Sequence, residues 1–308
     1  MTANPLFGRD VISMTDFDRD DVKAVFKMTE RCKKEGKSSA LNQKIIASCF
    51  FEPSTRTRFS FEAAAFRLGA EVLGFGNEQM LSVKKGESLH DTVRMLDQYA
   101  DLMVIRHPLE GSARLAAEVA EIPVINAGDG ANQHPTQALT DVFTIQECQG
   151  RLDGLAIALV GDLKYGRTIH SLVELCALFD IRLYLVSPEA LTLTDAFCDR
   201  LKKRSVRFSF HQTIEEVISS VDILYLTRIQ RERFLKCSFI SDPEELVLRP
   251  ELLKKARSHL KILHPLPRLA ELPREIDETP FACYFDQARN GLFVRQALLT
   301  MILNETVT

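Results

Sequence analysis

Short runs of apolar and β-branched residues alternate along the chain with longer segments in which apolar residues recur at helical spacing. In the first half the runs are KIIASCFF, AEVLGFG, DLMVIRH and IPVINAG, and helical segments such as RFSFEAAAFRLG and SLHDTVRMLDQYA lie between them. Alternation of short buried strands with helices is typical of βαβ units, which form parallel sheets covered by helices. We therefore predict an α/β fold.

A polar turn divides this pattern into two halves. After the helical segment TQALTDVFTIQECQ comes QGRLDG, and the alternation then restarts with LAIALVGD, RLYLVS, VDILYLTR and KILHPLP. A chain of 308 residues is also too long for one simple core. We predict two Rossmann-like domains with parallel sheets, over residues 1–150 and 151–287. Periodicity alone does not assign the last amphipathic helix, at about 288–308, and we expect it to pack back on the first domain.

Polar clusters follow six of the predicted strands. They are FEPSTRTR, IRHPLEG, NAGDGANQHPTQ, GDLKYGRT, YLTRIQRER and HPLPR. In open parallel sheets, ligands bind beyond the carboxyl ends of the strands, where loops lead into helices. We therefore expect the clusters to converge on one active site in the cleft between the two domains.

The first cluster places two arginines where the macrodipole of a predicted helix is already positive. Each such cation costs about 0.3–1 kcal/mol of helix stability. Ser54 is a natural N-cap residue, and the hydroxyls of Thr55 and Thr57 alternate with the guanidinium groups of Arg56 and Arg58. These groups and the first helical N–H groups suit an anion such as phosphate. Charge-assisted hydrogen bonds contribute about 1.5–3 kcal/mol each, so two or three outweigh the dipole penalty.

Composition and charge exclude several other classes of function. The net charge is −3 and the pI about 6.2, so no overall basic field draws the protein to nucleic acid or to an anionic membrane. The N-terminus lacks a signal pattern, and no apolar run approaches the ~20 residues that span a bilayer. The seven cysteines are scattered and never form C-x-x-C. We expect reduced thiols, a cytoplasmic location, and no nucleic-acid or membrane partner.

Motifs for nucleotides, metals and covalent catalysis are missing as well. The segment GKS lacks the earlier glycine of a phosphate-binding G-x-x-x-x-G-K-[ST] loop, and no G-x-G-x-x-G follows a strand. The sequence also has no H-E-x-x-H pair and no nucleophile elbow. We therefore expect neither a metal nor an organic cofactor.

Three motifs together resemble those of the carbamoyltransferases, and the resemblance covers essentially the whole chain. They are STRTR, HPTQ at residues 134–137 and HPLP at residues 264–267. Within that family, HPLP in place of His-Cys-Leu-Pro, the lysine loop SVKKGES, and GDLKYGRT with TRIQRER resemble the catalytic chains that act on aspartate. The resemblance implies transfer of the carbamoyl group of carbamoyl phosphate to L-aspartate, in pyrimidine biosynthesis. It also implies that the first domain binds carbamoyl phosphate and the second binds aspartate.

The resemblance assigns roles to particular residues. The catalytic residues would be Arg56, Thr57, Lys85, Arg106 and His134. Carbamoyl phosphate would contact Ser54, Thr55, Arg56, Thr57, Arg106, His134, Gln137, Pro265, Leu266 and Pro267. Aspartate would contact Lys85, Arg167, Arg228 and Gln230. Ser82 and Lys85 would come from the neighbouring chain, which implies a homotrimer with shared active sites.

Two alternatives stay open at this point. One is another carbamoyltransferase with an acceptor such as ornithine, whose cationic amine would require acidic residues in the acceptor site. Arg167, Arg228 and Lys85 are cations and disfavour it. A non-catalytic anion-binding α/β module would be favoured by the loss of Arg56, Arg106 or His134, and all three are present. Chain length and the YLTRIQRER pattern resemble members that pair with a separate regulatory chain, by analogy alone.

Overall fold

The computed structural model of the protein describes residues 4–76, 85–229 and 246–306. The chain divides into two compact units. The first unit comprises Met1–Thr140 with Arg289–Thr308, and the second comprises Asp141–Ala288. The predicted site residues Ser82 and Gln230 lie outside the described ranges, as does Cys237.

Each unit is built on a wholly parallel sheet, so the predicted α/β fold with two parallel sheets is confirmed. The strands of the first sheet, in the order β2-β1-β3-β4, are β1 (Ile45–Phe50), β2 (Glu71–Phe75), β3 (Leu102–His107) and β4 (Val124–Asp129). The strands of the second, in the order β7-β6-β5-β8-β9, are β5 (Leu155–Val160), β6 (Ile181–Val186), β7 (Arg207–His211), β8 (Ile223–Leu226) and β9 (Lys261–Leu263).

Helices separate most of the successive strands, as the alternating pattern requires, and the first helix precedes β1 while the last follows β9. They are α1 (Arg19–Glu35), α2 (Thr55–Arg67), α3 (Leu89–Leu96), α4 (Ser112–Val119), α5 (Pro135–Gln149), α6 (Arg167–Cys176), α7 (Asp195–Lys203) and α8 (Tyr284–Leu303). No helix in the described ranges is long and apolar enough to cross a membrane.

Each unit has a hydrophobic core of its own. In the first, Ala47 and Cys49 of β1 pack with Met103 and Ile105 of β3 and with the apolar faces of α3 and α4. In the second, residues of β5 and β8 pack with Ile214, Val217 and neighbours, and with the segment that follows β9. Strands that are buried on both faces read as continuous apolar runs, which is why the sequence pattern locates them.

Helix α8 begins in the second unit and runs into the first at Arg289. Within the first unit, the Asn290 side chain accepts a hydrogen bond from Lys33, and the Arg295 guanidinium lies 5.1 Å from the centre of the Phe61 ring. Gln296 donates a hydrogen bond to the Gly36 carbonyl at 3.0 Å. These contacts hold the helix against α1 and α2.

Candidate functional site

Three neighbouring strands of the first sheet end at the residues that the motifs single out for carbamoyl phosphate. β1 leads into the loop before α2, β3 carries Arg106 near its end, and the loop after β4 carries His134. β3 lies between β1 and β4 in the sheet. The carboxyl ends of adjacent parallel strands share one edge, so the three polar segments arise at the same edge of this unit.

The first turn of α2 has the features of an anion site. Ser54 is the N-cap residue with an extended backbone, but its hydroxyl makes no capping bond, contrary to the interpretation of this residue as a side-chain cap. No acidic residue lies in the first turn. Thr55 and Arg56 are exposed, and Thr57 is buried. The helix therefore presents its positive end together with hydroxyls and a guanidinium group.

Arg58 is satisfied within the helix itself. Its Nε lies 2.6 Å from Glu62 Oε1, an ion pair between residues i and i+4. Ser48 of β1 also donates to this carboxylate, at 3.3 Å. Arg58 was not among the predicted site residues, and Glu62 supplies a negative charge beside it.

Arg106 is held by two oxygens of the first unit. One terminal nitrogen donates to the Ala127 carbonyl of β4 at 3.2 Å, and the other lies 3.3 Å from Glu52 Oε1, in the loop after β1. Only 11% of the Arg106 side chain is exposed. The guanidinium is thus oriented by groups on both sides of β3.

His134 is buried at the start of α5. Pro135 occupies the first helical position, which suits a residue without an N–H group. The His134 carbonyl accepts hydrogen bonds from the N–H groups of Gln137 and Ala138, at 3.0 and 3.3 Å. Gln137 is half-buried one turn into the helix.

A buried aspartate organises the loop that precedes His134. The two Asp129 oxygens accept hydrogen bonds from the N–H groups of Gly111 and Gln133 and from the side-chain amides of Asn126 and Asn132, at 2.8–3.2 Å. This residue was not among the predicted site residues. Its only signal in the sequence is its position as the last residue of a strand, within NAGDGANQHPTQ.

In the second unit, Arg167 and Arg228 follow the adjacent strands β5 and β8. Arg167 is the first residue of α6 and is only 5% exposed, so it is not an ordinary surface arginine. Arg228 is half-buried, two residues beyond the end of β8. A buried guanidinium at a strand end is suited to bidentate recognition of a carboxylate.

Gly161 allows β8 to continue beside β5 as far as these residues. Its φ is +121°, and a Cβ at this position would lie 2.2 Å from the Thr227 carbonyl oxygen. Thr227 in turn donates both its N–H and its hydroxyl to the Val160 carbonyl, at 2.8 and 3.0 Å. Only glycine accepts both the backbone conformation and the close approach.

The HPLP segment follows β9, next to β8, and has an irregular backbone. Leu266 has a φ of +56°, the Leu266–Pro267 peptide bond is cis, and the Leu266 N–H donates to His264 Nδ1 at 2.8 Å. A positive φ is uncommon for leucine and costs on the order of 1–3 kcal/mol, so the surrounding structure must impose it. Pro265 and Leu266 are half-buried, and Pro267 is exposed.

The buried His264 ring links HPLP to the segment after it. Because Nδ1 accepts from Leu266, Nε2 carries the proton and donates to Glu271 Oε1 at 2.9 Å. Burial alone would raise the pKa of Glu271, but the hydrogen bonds from His264 and the Leu269 N–H hold it below its ordinary value.

An ion pair fixes the residue after HPLP. The Arg268 guanidinium pairs with both Asp277 oxygens, and the Tyr284 hydroxyl contacts the same carboxylate. The hydrogen bond from Arg268 lowers the pKa of Asp277 to about 2. Neither Glu271 nor Asp277 was among the predicted site residues, since nothing in the local sequence distinguishes them from surface carboxylates.

The lysine loop is described only from Lys85 onward. Lys85 is exposed and lies four residues before α3. Within the described residues, no group of three or more His, Cys, Asp or Glu side chains is arranged to hold a metal ion.

Two family models match the chain. One, described as the carbamoyl-P binding domain of aspartate/ornithine carbamoyltransferase, matches residues 9–147. The other, described as the Asp/Orn binding domain of aspartate/ornithine carbamoyltransferase, matches residues 153–302.

The chain is also similar to individual proteins along nearly its full length. It is 49% identical over 302 residues to the aspartate carbamoyltransferase catalytic subunit of Chromobacterium violaceum, covering 98% of this chain and 100% of that protein. Crystal structures of Trypanosoma cruzi aspartate transcarbamoylase share its fold at 37% identity, over 98% of both chains. Their TM-scores are 0.92 for the complex with carbamoyl phosphate and aspartate and 0.91 for the complex with N-(phosphonacetyl)-L-aspartic acid.

Proposed function

The chain belongs to the aspartate/ornithine carbamoyltransferase family, and we propose that it transfers the carbamoyl group of carbamoyl phosphate to L-aspartate. The products are N-carbamoyl-L-aspartate and phosphate. The observation that carries this proposal is the arrangement of the first unit. There β1, β3 and β4 lead to the first turn of α2, an oriented arginine and a buried histidine, all at one sheet edge.

The chemistry divides into tasks that these groups can perform. The aspartate amine attacks the carbonyl carbon of carbamoyl phosphate, a tetrahedral intermediate forms, and the bond to the phosphate oxygen breaks. Ser54, Thr55, Arg56 and Thr57 bind the phosphate with charge-assisted and backbone hydrogen bonds. Departing phosphate accepts the proton that the amine loses.

The carbonyl oxygen gains negative charge in the intermediate and needs donors that are already in place. Arg106, fixed by Glu52 and Ala127, and His134 supply them, with the Thr57 hydroxyl assisting. Removing one such donor typically costs about 2.7–4 kcal/mol of transition-state stabilisation. Gln137 and the backbone around Pro265, Leu266 and Pro267 orient the carbamoyl NH2 group.

The second unit supports a dianionic acceptor. Arg167 and Arg228 lie after adjacent strands and are buried or half-buried. Gln230, and Lys85 from the first unit of the neighbouring chain, would add polar contacts to the aspartate carboxylates. A cationic acceptor such as ornithine would be repelled by these arginines. Their burial strengthens that repulsion, since solvent screens buried charges less.

We further propose a homotrimer in which Ser82 and Lys85 of one chain complete the active site of its neighbour. The placement of Lys85 on an exposed segment supports this arrangement. The six cysteines that the structure describes are free thiols, which supports a reducing, cytoplasmic setting. Pyrimidine synthesis is the pathway that would use the product.

The test is a colorimetric assay of carbamoyl products, with aspartate and ornithine compared side by side as acceptors. We expect carbamoyl-aspartate to form and carbamoyl-ornithine to be undetectable at equal acceptor concentration. Production of carbamoyl-ornithine instead would favour the other branch of the family. Absence of both products, with carbamoyl phosphate still bound, would favour the non-catalytic module.

A further inference from the structure

A buried hydrogen-bonded group in the second unit takes no part in the chemistry above. Its centre is Asp141, which is fully buried. One Asp141 oxygen accepts a hydrogen bond from the Tyr225 hydroxyl at 2.7 Å, and the other accepts one from the Gln287 amide, also at 2.7 Å. Tyr225 is fully buried and Gln287 is 1% exposed.

The Gln287 branch ends at the HPLP segment. The Gln287 side chain uses its amide nitrogen on Asp141 and its oxygen on the His264 N–H, at 2.8 Å. His264 then accepts from the Leu266 N–H. Two consecutive side-chain bonds therefore connect Asp141 to the backbone that is expected to orient the carbamoyl group.

The Tyr225 branch lies next to the residues expected to bind aspartate. Tyr225 is the penultimate residue of β8, three positions before Arg228. Its hydroxyl also hydrogen-bonds to Thr168, the neighbour of Arg167 in α6. One hydroxyl thus touches both the carboxylate of Asp141 and the helix start that carries Arg167.

A second hydrogen-bonded group lies at the starts of β8 and β9 and does not reach the proposed substrate contacts. There Gln149 donates to the carbonyls of Asp222, just before β8, and of His259, two residues before β9, at 3.0 Å each. Asp222 also pairs with Arg257 and with the His259 ring, at 2.7 and 2.8 Å. None of these residues adjoins a proposed substrate contact. We therefore expect the Gln149 group to stabilise the fold only, and the Asp141 group also to position residues that contact substrates.

We propose that Asp141 is a positioning residue that fixes residues 227–229, at the end of β8, relative to the HPLP segment, so that both substrates are held for the same reaction. The inference rests on the proposed function for what those loops bind. Both oxygens of Asp141 are engaged by donors that are themselves buried, and a buried polar group that loses its partner is costly. Movement of either Tyr225 or Gln287 would break a buried hydrogen bond to Asp141 and is therefore unfavourable.

The test uses substitutions that remove one branch at a time. Gln287→Leu keeps the size of the side chain and removes the HPLP branch; we expect kcat to fall and KM for carbamoyl phosphate to rise, together about tenfold or more. Tyr225→Phe removes only the hydroxyl, and we expect KM for aspartate to rise about tenfold with KM for carbamoyl phosphate within about threefold. Gln149→Leu is the matched control, with two lost hydrogen bonds at the other end of the strands.

Two variants of Asp141 distinguish the effect of its hydrogen bonds from the effect of its negative charge. In Asp141→Asn the amide oxygen still accepts from Gln287 and the amide nitrogen donates to the Tyr225 oxygen, so both substrate constants should stay within about threefold of wild type. Asp141→Ala should raise KM for both substrates. If Gln149→Leu shifts the constants as much as Gln287→Leu, or if Asp141→Asn behaves like Asp141→Ala, the positioning role is overturned.

A second measurement separates this inference from the proposed function. Hydrogen–deuterium exchange of the peptide over residues 263–272 should accelerate about fivefold or more in Gln287→Leu and remain unchanged in Gln149→Leu. Unchanged exchange in both overturns the inference whatever the activity. If the wild type makes no carbamoyl-aspartate while exchange responds as expected, the proposed function fails and the structural link between Asp141 and this segment stands.

Discussion

The two arginines that open α2 differ in what surrounds them. Arg58 pairs with Glu62 inside the helix, whereas Arg56 is exposed on the first turn. We expect Arg56→Gln to lower kcat/KM for carbamoyl phosphate by about 10²-fold or more, because two charge-assisted bonds of about 1.5–3 kcal/mol each are lost. Initial-rate kinetics at saturating aspartate measure this loss.

Arg58→Gln is the matched control in the same turn. It breaks the ion pair with Glu62 and should lower the unfolding temperature while leaving kcat/KM within about threefold. Equal losses in the two variants would mean that α2 as a whole, rather than the Arg56 guanidinium, limits binding.

For single residues, the sequence reveals groups whose chemistry conflicts with their local setting. It does not reveal groups whose role depends on burial and on distant partners. Arg56 stands out because a cation at a helix start conflicts with the dipole. Asp141 lies in the buried middle of α5, and its partners Tyr225 and Gln287 are 84 and 146 residues away. No local pattern indicates that such distant residues share one carboxylate.

Among the structural elements, the turn after β5 depends on Gly161. Alanine there would have an unfavourable φ of +121° and a Cβ 2.2 Å from the Thr227 carbonyl oxygen. Thr227 would have to move and take Arg228 with it. We expect Gly161→Ala to raise KM for aspartate about tenfold and to destabilise the protein by about 1–3 kcal/mol. Gly150→Ala is the control, since its φ is also positive, at +71°, with no atom near the added Cβ. Equal effects of the two substitutions would show that backbone conformation alone is responsible.

The ion pair after HPLP should make this segment sensitive to acid. Arg268 lowers the pKa of Asp277 from 3.8 to about 2, so the pair stabilises the fold fully above pH 3.8, and its contribution is lost as the pH falls through about 2. After allowance for solvent screening we expect about 1 kcal/mol. Urea unfolding of wild type and Arg268→Met should differ by this amount at pH 6, and the difference should shrink below pH 4. A difference that is constant with pH would exclude the carboxylate as its source.

The elements that the sequence predicts are those with strong apolar runs. β1, β3, β5 and β8 are buried and read as continuous apolar stretches, so their presence in parallel sheets follows from the βαβ pattern. The edge strand β7, with the sequence RFSFH, was not predicted, because its residues are only partly buried or exposed. The conformation of HPLP was also beyond prediction, since the positive φ of Leu266 depends on contacts from His264 and, through it, Gln287.

At the scale of the whole molecule, the proposed trimer predicts complementation between two inactive variants. Arg56→Ala loses a residue of a chain's own site, and Lys85→Ala loses one that we expect the neighbouring chain to supply. Each variant alone should be nearly inactive. When equal amounts are dissociated and reassembled at random, three quarters of the trimers are mixed, and each mixed ring has one intact site out of three. About a quarter of wild-type activity should therefore return. Sedimentation of both variants as trimers is the control for assembly. If mixing restores no activity although mixed trimers form, Lys85 acts within its own chain and the shared site is refuted.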